Sequence, residues 1–169
     1  MEIQAATLDD CPTIAELQVQ VWRHAYRGIL PERYLASLSV PKRETMWRHV
    51  VEQQQAQLLV ACIAGKVSGF IVFGPARDAD APASRAEIWA IYVQATSWSG
   101  GVGRRLWLQA RQDIAAEGYE SISLWVLAKN ARAIRFYEHA GFDVHSESRK
   151  WIDIGGATVE ERRCLYPVS

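Results

Sequence analysis

Two short stretches of this chain hold residue types whose spacing could do chemistry. The first is Gly100-Gly-Val-Gly-Arg-Arg105, which follows an apolar run ending near Val93 and precedes a helical pattern. The first N–H groups of a helix have no intrahelical partner, and the helix dipole adds positive potential beside them. Glycines at such a turn let an anion approach the backbone with no Cβ in the way. Arg104 and Arg105 fall in the first turn, where a cation is disfavoured unless something negative lies near. The pattern suits a phosphate, although a plain strand–turn–helix would also use glycines. Two nucleotide sites fail on spacing. No Gly-Lys-Ser/Thr enters the helix, as a phosphate loop requires, and Leu106 stands where the dinucleotide fingerprint needs its third glycine.

The second stretch is Asn130-Ala-Arg-Ala-Ile-Arg-Phe-Tyr-Glu-His-Ala-Gly-Phe142. Asn130 and Tyr137 are about two helical turns apart, so a helix presents amide and phenol on one face. The amide can bond a ligand. The competing use is structural: Asn130 as an N-cap, Phe136 and Tyr137 as core aromatics, Gly141 as a C-cap.

The elements that must position these residues can be read from periodicity. Ile3–Thr7 reads as a first strand, and Asp9, Asp10 and Pro12 as a helix start. Ile14, Leu17, Val21 and Ala25 continue that helix until Gly28, and short helices are expected from Pro31 and after Pro41. Gln57–Ala64 and Val67–Gly74 flank Gly65-Lys66 as a hairpin, followed by a solvated loop over Pro75–Ser84. Glu87–Val93 is apolar enough for a strand buried on both faces. Val102, Leu106, Ala110 and Ile114 recur at helical spacing up to Gly118, and Ser121–Leu127 is a further buried strand. Strands over Asp143–Trp151 and Thr158–Tyr166 complete one mixed sheet of about seven strands flanked by helices, an α/β domain spanning 1–169.

Composition narrows the partners. Nineteen basic residues balance nineteen acidic ones, and no long basic run invites nucleic acid or a membrane surface. Cys11, Cys62 and Cys164 are odd in number and scattered, which suits neither a disulfide framework nor a zinc site, so no metal is expected. The N-terminus lacks a signal-peptide pattern and no window is long and apolar enough to span a bilayer. A cytoplasmic protein is the expectation.

Taken together, Asn-Ala-Arg, Phe-Tyr-Glu and Gly-Phe closely resemble the second signature of the GNAT acyl-CoA N-acyltransferase superfamily. The family's first signature, Gln/Arg-x-x-Gly-x-Gly/Ala, is matched at Gly101 and Gly103, with Trp98 in place of the usual glutamine or arginine. The resemblance runs from about Ile3 to Val144 and is most specific over Glu87–Phe142. It implies a mostly antiparallel sheet with two central splayed parallel strands, Glu87–Gln94 and Ser121–Leu127, holding acetyl-CoA between them. The pyrophosphate would lie on Trp98, Gly100, Gly101, Val102, Gly103, Arg104 and Arg105. Backbone groups of Ile91, Tyr92 and Val93 would pair with the pantetheine arm, near Asn130, Ala133 and Phe136. Tyr137 would be the general acid, and Glu87 resembles the position of a general base, although a carboxylate at a strand start is otherwise a solvated group. An oxyanion donor is expected just after a strand bulge near Tyr92.

The acceptor is less legible. Trp22, Tyr26 and Arg27 could form one wall of its pocket, with Trp89 and Trp125 facing them, and each tryptophan could instead be core. A mostly uncharged aromatic lining would favour a small amine or amino acid over a basic peptide. An antibiotic or a protein N-terminus remains open, as do a longer acyl donor and a homodimer using the C-terminal strands. Two other classes compete with an N-acetyltransferase: a catalytically silent CoA-binding or acyl-sensing module, and a small partner-binding domain.

Overall fold

The central strands are built where β-branched and aromatic residues cluster, and the long helices where apolar residues return every three or four positions. The computed structural model describes residues 1–145 and 148–168. In chain order the elements are β1 (Glu2–Ala5), α1 (Cys11–Ala25), α2 (Glu32–Ala36), α3 (Val40–Gln53), β2 (Gln57–Ile63), β3 (Lys66–Pro75) and β4 (Arg85–Val93). Then come α4 (Val102–Ala116), β5 (Ser121–Leu127), α5 (Ala131–Ala140), β6 (Arg149–Ile154) and β7 (Ala157–Pro167). Single 3-10 turns precede α1 and α4. The predicted strand Asp143–Trp151 is realised only from Arg149. Asp143 makes an isolated bridge to Leu165, and positions 146 and 147 lie outside the described residues.

Among the described residues the sheet has seven strands in the order β1-β2-β3-β4-β5-β7-β6. Every neighbouring pair is antiparallel except β4 with β5, which run parallel. That parallel pairing spans only Arg85–Glu87 against Ser121–Ser123. Beyond it the two strands diverge, and backbone groups along their facing edges are left without a strand partner.

A bulge in β4 helps open the gap. Ala90 pairs with Val72 and Ile88 with Phe73, so Trp89 is an extra residue in the strand. An extra residue bends its strand and sharpens its twist. The bulge therefore lies at Trp89, not near Tyr92 as expected, and any donor freed by it sits correspondingly earlier. The expectation that β4 is buried on both faces also needs correction. Ala86, Glu87 and Ile88 are buried, whereas Trp89–Val93 are half-exposed because they border the gap.

Helices cover both faces. Val102, Leu106, Ala110 and Ile114 of α4 are fully buried, and with Ile71, Phe73, Ile122, Leu124 and Phe142 they form one core. On the opposite face, Ile14, Leu17 and Val21 of α1 and Trp47 of α3 pack on Val60, Phe70 and Val72. Full burial of each such side chain is worth about 1.5–3 kcal/mol. A smaller cluster joins Leu30 and Leu35, around α2, to Leu127, Ile154 and Val159. It seats the β6–β7 turn on α2, where the Gly155 backbone lies against the Tyr34 ring.

Candidate active site

The gap between β4 and β5 opens into a cleft of about 1060 Å³. One limb runs to the start of α4. There Gly101 is the N-cap in the left-handed region, at φ +80°, and no side chain caps the helix. The first-turn N–H groups of Val102, Gly103 and Arg104 are thereby left to face the cleft that these residues line. Gly103 is needed for close packing: a Cβ there would stand 3.2 Å from the Phe136 ring and 3.6 Å from Val93 Cγ2. Arg104, Arg132 and Arg135 also line this limb. Burial, aided by the neighbouring Arg135 charge, lowers the Arg132 guanidinium from its usual range. Uncapped N–H groups beside crowded cations fit a phosphate-bearing ligand.

Trp98 organises this corner. Its indole Nε1 donates to the Val93 carbonyl at 2.8 Å, and the Arg132 guanidinium stacks 3.3 Å from its ring centre. The edge of His24 closes on the same ring. Trp98, which stands where a glutamine or arginine is usual, thus serves as a platform that holds Arg132 in this limb. Among the backbone groups of Ile91–Val93 expected to pair with a pantetheine arm, the Val93 carbonyl accepts the indole bond from Trp98.

At the apex, α5 brings Tyr137 to the gap. Asn130 caps α5 through Oδ1, which accepts from Ala133 N at 3.3 Å, while the residue still lines the cleft. Gly141 ends the helix at φ +100°. Burial raises the Tyr137 phenol well above its usual range, and the neighbouring Tyr92 and Cys164 add to it. Tyr26 and Tyr92, on the opposite wall, are raised by burial in the same way. Tyr137 is therefore held neutral, as a hydrogen-bond donor.

The second limb is charged. Glu87 is 2% exposed and tied to Arg77: Nη2 donates to Oε2 at 2.7 Å, and the Arg77 backbone N donates to Oε1 at 2.9 Å. The Arg77 guanidinium also lies 4.4 Å from the Trp89 ring centre. Across the limb, Trp125 Nε1 donates to Asp78 at 3.0 Å, and Lys150 Nζ lies 4.2 Å from the Trp125 ring centre. Lys150 in turn reaches Glu161 at 3.6 Å. Burial raises the Glu161 carboxyl above its usual range, partly offset by Lys150. Ser123, opposite Glu87 in the parallel pairing, is fully buried and its hydroxyl finds no hydrogen-bond partner among the described residues.

The Acetyltransferase (GNAT) family matches residues 16–142. The chain belongs to this family. It is 30% identical over 165 residues to the uncharacterized N-acetyltransferase YuaI of Bacillus subtilis, covering 98% of this chain and 92% of that protein. It is 26% identical over 149 residues to the spermidine N(1)-acetyltransferase of Thermoplasma acidophilum, covering 85% and 89% of the two chains. Among solved structures it resembles YncA of Salmonella typhimurium, a putative acetyltransferase with acetyl-CoA. The TM-score is 0.77 at 22% identity, over 100% of this chain and 94% of that one. The fold is the GNAT fold, and the protein is an N-acetyltransferase.

Within this GNAT fold the cleft collects most of the residues singled out in the sequence. Trp98, Gly101, Val102, Gly103, Arg104, Asn130, Ala133, Phe136 and Tyr137 line it, as do Ile91, Tyr92 and Val93. So do Trp22, Tyr26, Glu87, Trp89 and Trp125. Gly100, Arg105 and Arg27 are exposed and lie outside the lining. Glu87 is no solvated strand start but a buried carboxylate. The expected uncharged lining is corrected by Arg77, Asp78, Lys150 and Glu161. No local pattern marks these four, because strand register and a loop crossing bring them in. No group of His, Cys, Asp and Glu suited to a metal ion occurs among the described residues. Nor is any helix among them long and apolar enough to cross a membrane.

Proposed function

We propose that this GNAT protein transfers an acetyl group from acetyl-CoA to a small primary amine, by direct attack of the amine on the thioester. The observation that carries the reading is the shared cleft. It joins an uncapped helix start, bordered by arginines, to a buried neutral tyrosine and then to a limb lined with carboxylates. The donor supplies an acetyl thioester; the rest is the work of the chain. The N–H groups at Val102–Arg104 and the Arg132 guanidinium hold its phosphates. The open edges of β4 and β5 pair with its arm, assisted by Asn130.

Tyr137 donates a hydrogen bond to the departing sulfur. A phenol is already a weaker acid than a thiol, and burial weakens it further, so stabilisation of the thiolate rather than full proton transfer is its part. The amine must shed a proton, because only about one alkyl amine in 2,500 is neutral at pH 7. Glu87 is the candidate base. Arg77 bonds both of its oxygens, so its route to the amine is through a water, for which the unpartnered Ser123 hydroxyl beside it is a ready partner.

Direct transfer is favoured over an acetyl-cysteine intermediate. Burial pushes the Cys164 thiol up to about 11, which leaves almost no thiolate at neutral pH, and no cysteine lines the cleft among the described residues. Calorimetric titration with acetyl-CoA of wild type, Gly101→Glu and Tyr137→Phe tests the reading, followed by an amine screen that detects released thiol. Wild type and Tyr137→Phe should bind alike and Gly101→Glu should not. Binding without turnover of any amine would instead indicate a silent acyl-CoA sensor, and no binding at all would end the acetyltransferase reading for this cleft.

A further inference from the structure

The acceptor limb contains two arrangements of the same kind, one on each diverging strand. On β4, Arg77 lies over Trp89 and pairs with Glu87. Next to β5, Lys150 lies over Trp125 and pairs with Glu161. Each is a cation between an aromatic face and a carboxylate, but the two are held very differently. Arg77 is fixed by its fork, with contacts of 2.7 and 3.4 Å to the carboxylate and a further bond from its own backbone. Lys150 makes one contact to its carboxylate, at 3.6 Å, from a flexible side chain that is 44% exposed on the edge strand β6. An ammonium on a four-carbon stem is a mobile point charge, unlike a guanidinium fork.

We infer that Lys150 stands in for the substrate: Trp125 and Glu161 form the subsite that receives the acceptor's ammonium group, and a cationic acceptor enters by displacing Lys150 into solvent. The subsite is built independently of Lys150. Trp125 is fixed from behind by its indole bond to Asp78, which Arg163 approaches at 3.6 Å. Glu161 is held by the pairing of β7 with Leu127 of β5, which directs both side chains to the same face. Its side chain is 17% exposed, so a carboxylate there lacks full hydration and gains from a close cation. A primary ammonium also gains about 0.5–2 kcal/mol of attraction from an aromatic face. Glu161 and Trp125 are specificity residues; proton removal stays with Glu87. The inference rests on the acetyltransferase reading and adds the acceptor class, an amine that arrives protonated.

The two side chains should act with opposite signs, which a merely structural role would not produce. The probes are butylamine, phenethylamine and spermidine, with acetyl-CoA as donor and thiol release as readout. For whichever probe is turned over best, Glu161→Gln should raise the amine KM about tenfold and Glu161→Asp less, with kcat within about threefold. Lys150→Ala should lower the same KM several-fold, and neither should move the KM for acetyl-CoA. If Lys150→Ala raises the amine KM, or Glu161→Gln leaves it unchanged, the inference is overturned. Acetyl-CoA binding without turnover of any of the three amines overturns it as well. Failure to bind acetyl-CoA would instead overturn the underlying reading.

Discussion

Gly155 offers a sharp test of how the acceptor limb is closed. It sits in the β6–β7 turn at φ +61°, and a Cβ built there would lie 2.3 Å from Tyr34 Cγ and 2.5 Å from Tyr34 Cβ. Tyr34 Cβ does not move with the rotamer, so a side-chain swing cannot clear the contact and α2 or the turn must shift. Its neighbour Gly156 has φ +88° and nothing within 4 Å of the same construction, which makes it the natural control. Both alanine variants suffer the left-handed backbone penalty of about 1–2 kcal/mol. Both also gain about 0.4–1 kcal/mol from a stiffer unfolded chain, which cancels in the comparison. Only Gly155→Ala adds overpacking, about 1–3 kcal/mol. Urea unfolding at 25 °C, followed by tryptophan fluorescence, should therefore place Gly155→Ala below Gly156→Ala by about 1–3 kcal/mol. Tyr34 shares a cluster with Ile154 and Tyr26, which line the cleft, so the amine KM should rise while acetyl-CoA affinity holds. Equal stabilities for the two variants would refute the packing argument.

Four further outcomes are expected. Tyr137→Phe should lower kcat on the order of 10²-fold with unchanged acetyl-CoA affinity by calorimetry. Gly103→Val should abolish acetyl-CoA binding while circular dichroism stays folded, since a side chain there meets the Phe136 ring. Arg132→Ala should weaken acetyl-CoA binding about tenfold, and the difference from wild type should shrink as salt screens the phosphate contact. Glu161→Gln should raise the melting temperature at pH 7. Burial raises this carboxyl in the folded state and so disfavours its charge. The stabilisation should fade as pH falls from the raised folded value to the ordinary carboxylate value, below which glutamate is neutral in both states, and a pH series of melts reads the sign directly.

What could be read ahead of the structure was local. The spacing of Gly101, Gly103, Asn130 and Tyr137 names an anion-binding helix start and a tyrosine-bearing helix, and the structure brings all four to one cleft. The buried stripe of α4 follows its period, and the β2–β3 hairpin follows its turn. What stayed hidden depends on register. Lys150 meets Glu161 only because β6 pairs with β7 at that step, and Glu161 faces Trp125's side of the sheet only because β7 pairs with β5. Glu87 is buried because Arg77, ten residues earlier, folds back onto it from a loop whose composition reads as solvent-facing. Arg132 reaches its corner by stacking on Trp98, a contact between residues with no shared motif position. The bulge at Trp89 inserts one residue and leaves no compositional trace.

If acetyl-CoA lies between β4 and β5 as proposed, the parallel seam couples the folded state to the donor. Among the described residues, three pairs between β4 and β5 make up the strand pairing that joins one half-sheet to the other. A ligand lying along both free edges is a fastener across that seam, available to the folded chain and not to the unfolded one. At a concentration a hundred times its Kd, such a ligand adds about 2.7 kcal/mol to the folded state. Proteolysis that samples open forms would slow by roughly the same hundredfold factor where opening parts the seam. Added acetyl-CoA should thus slow proteolysis of the purified enzyme in proportion to its saturation.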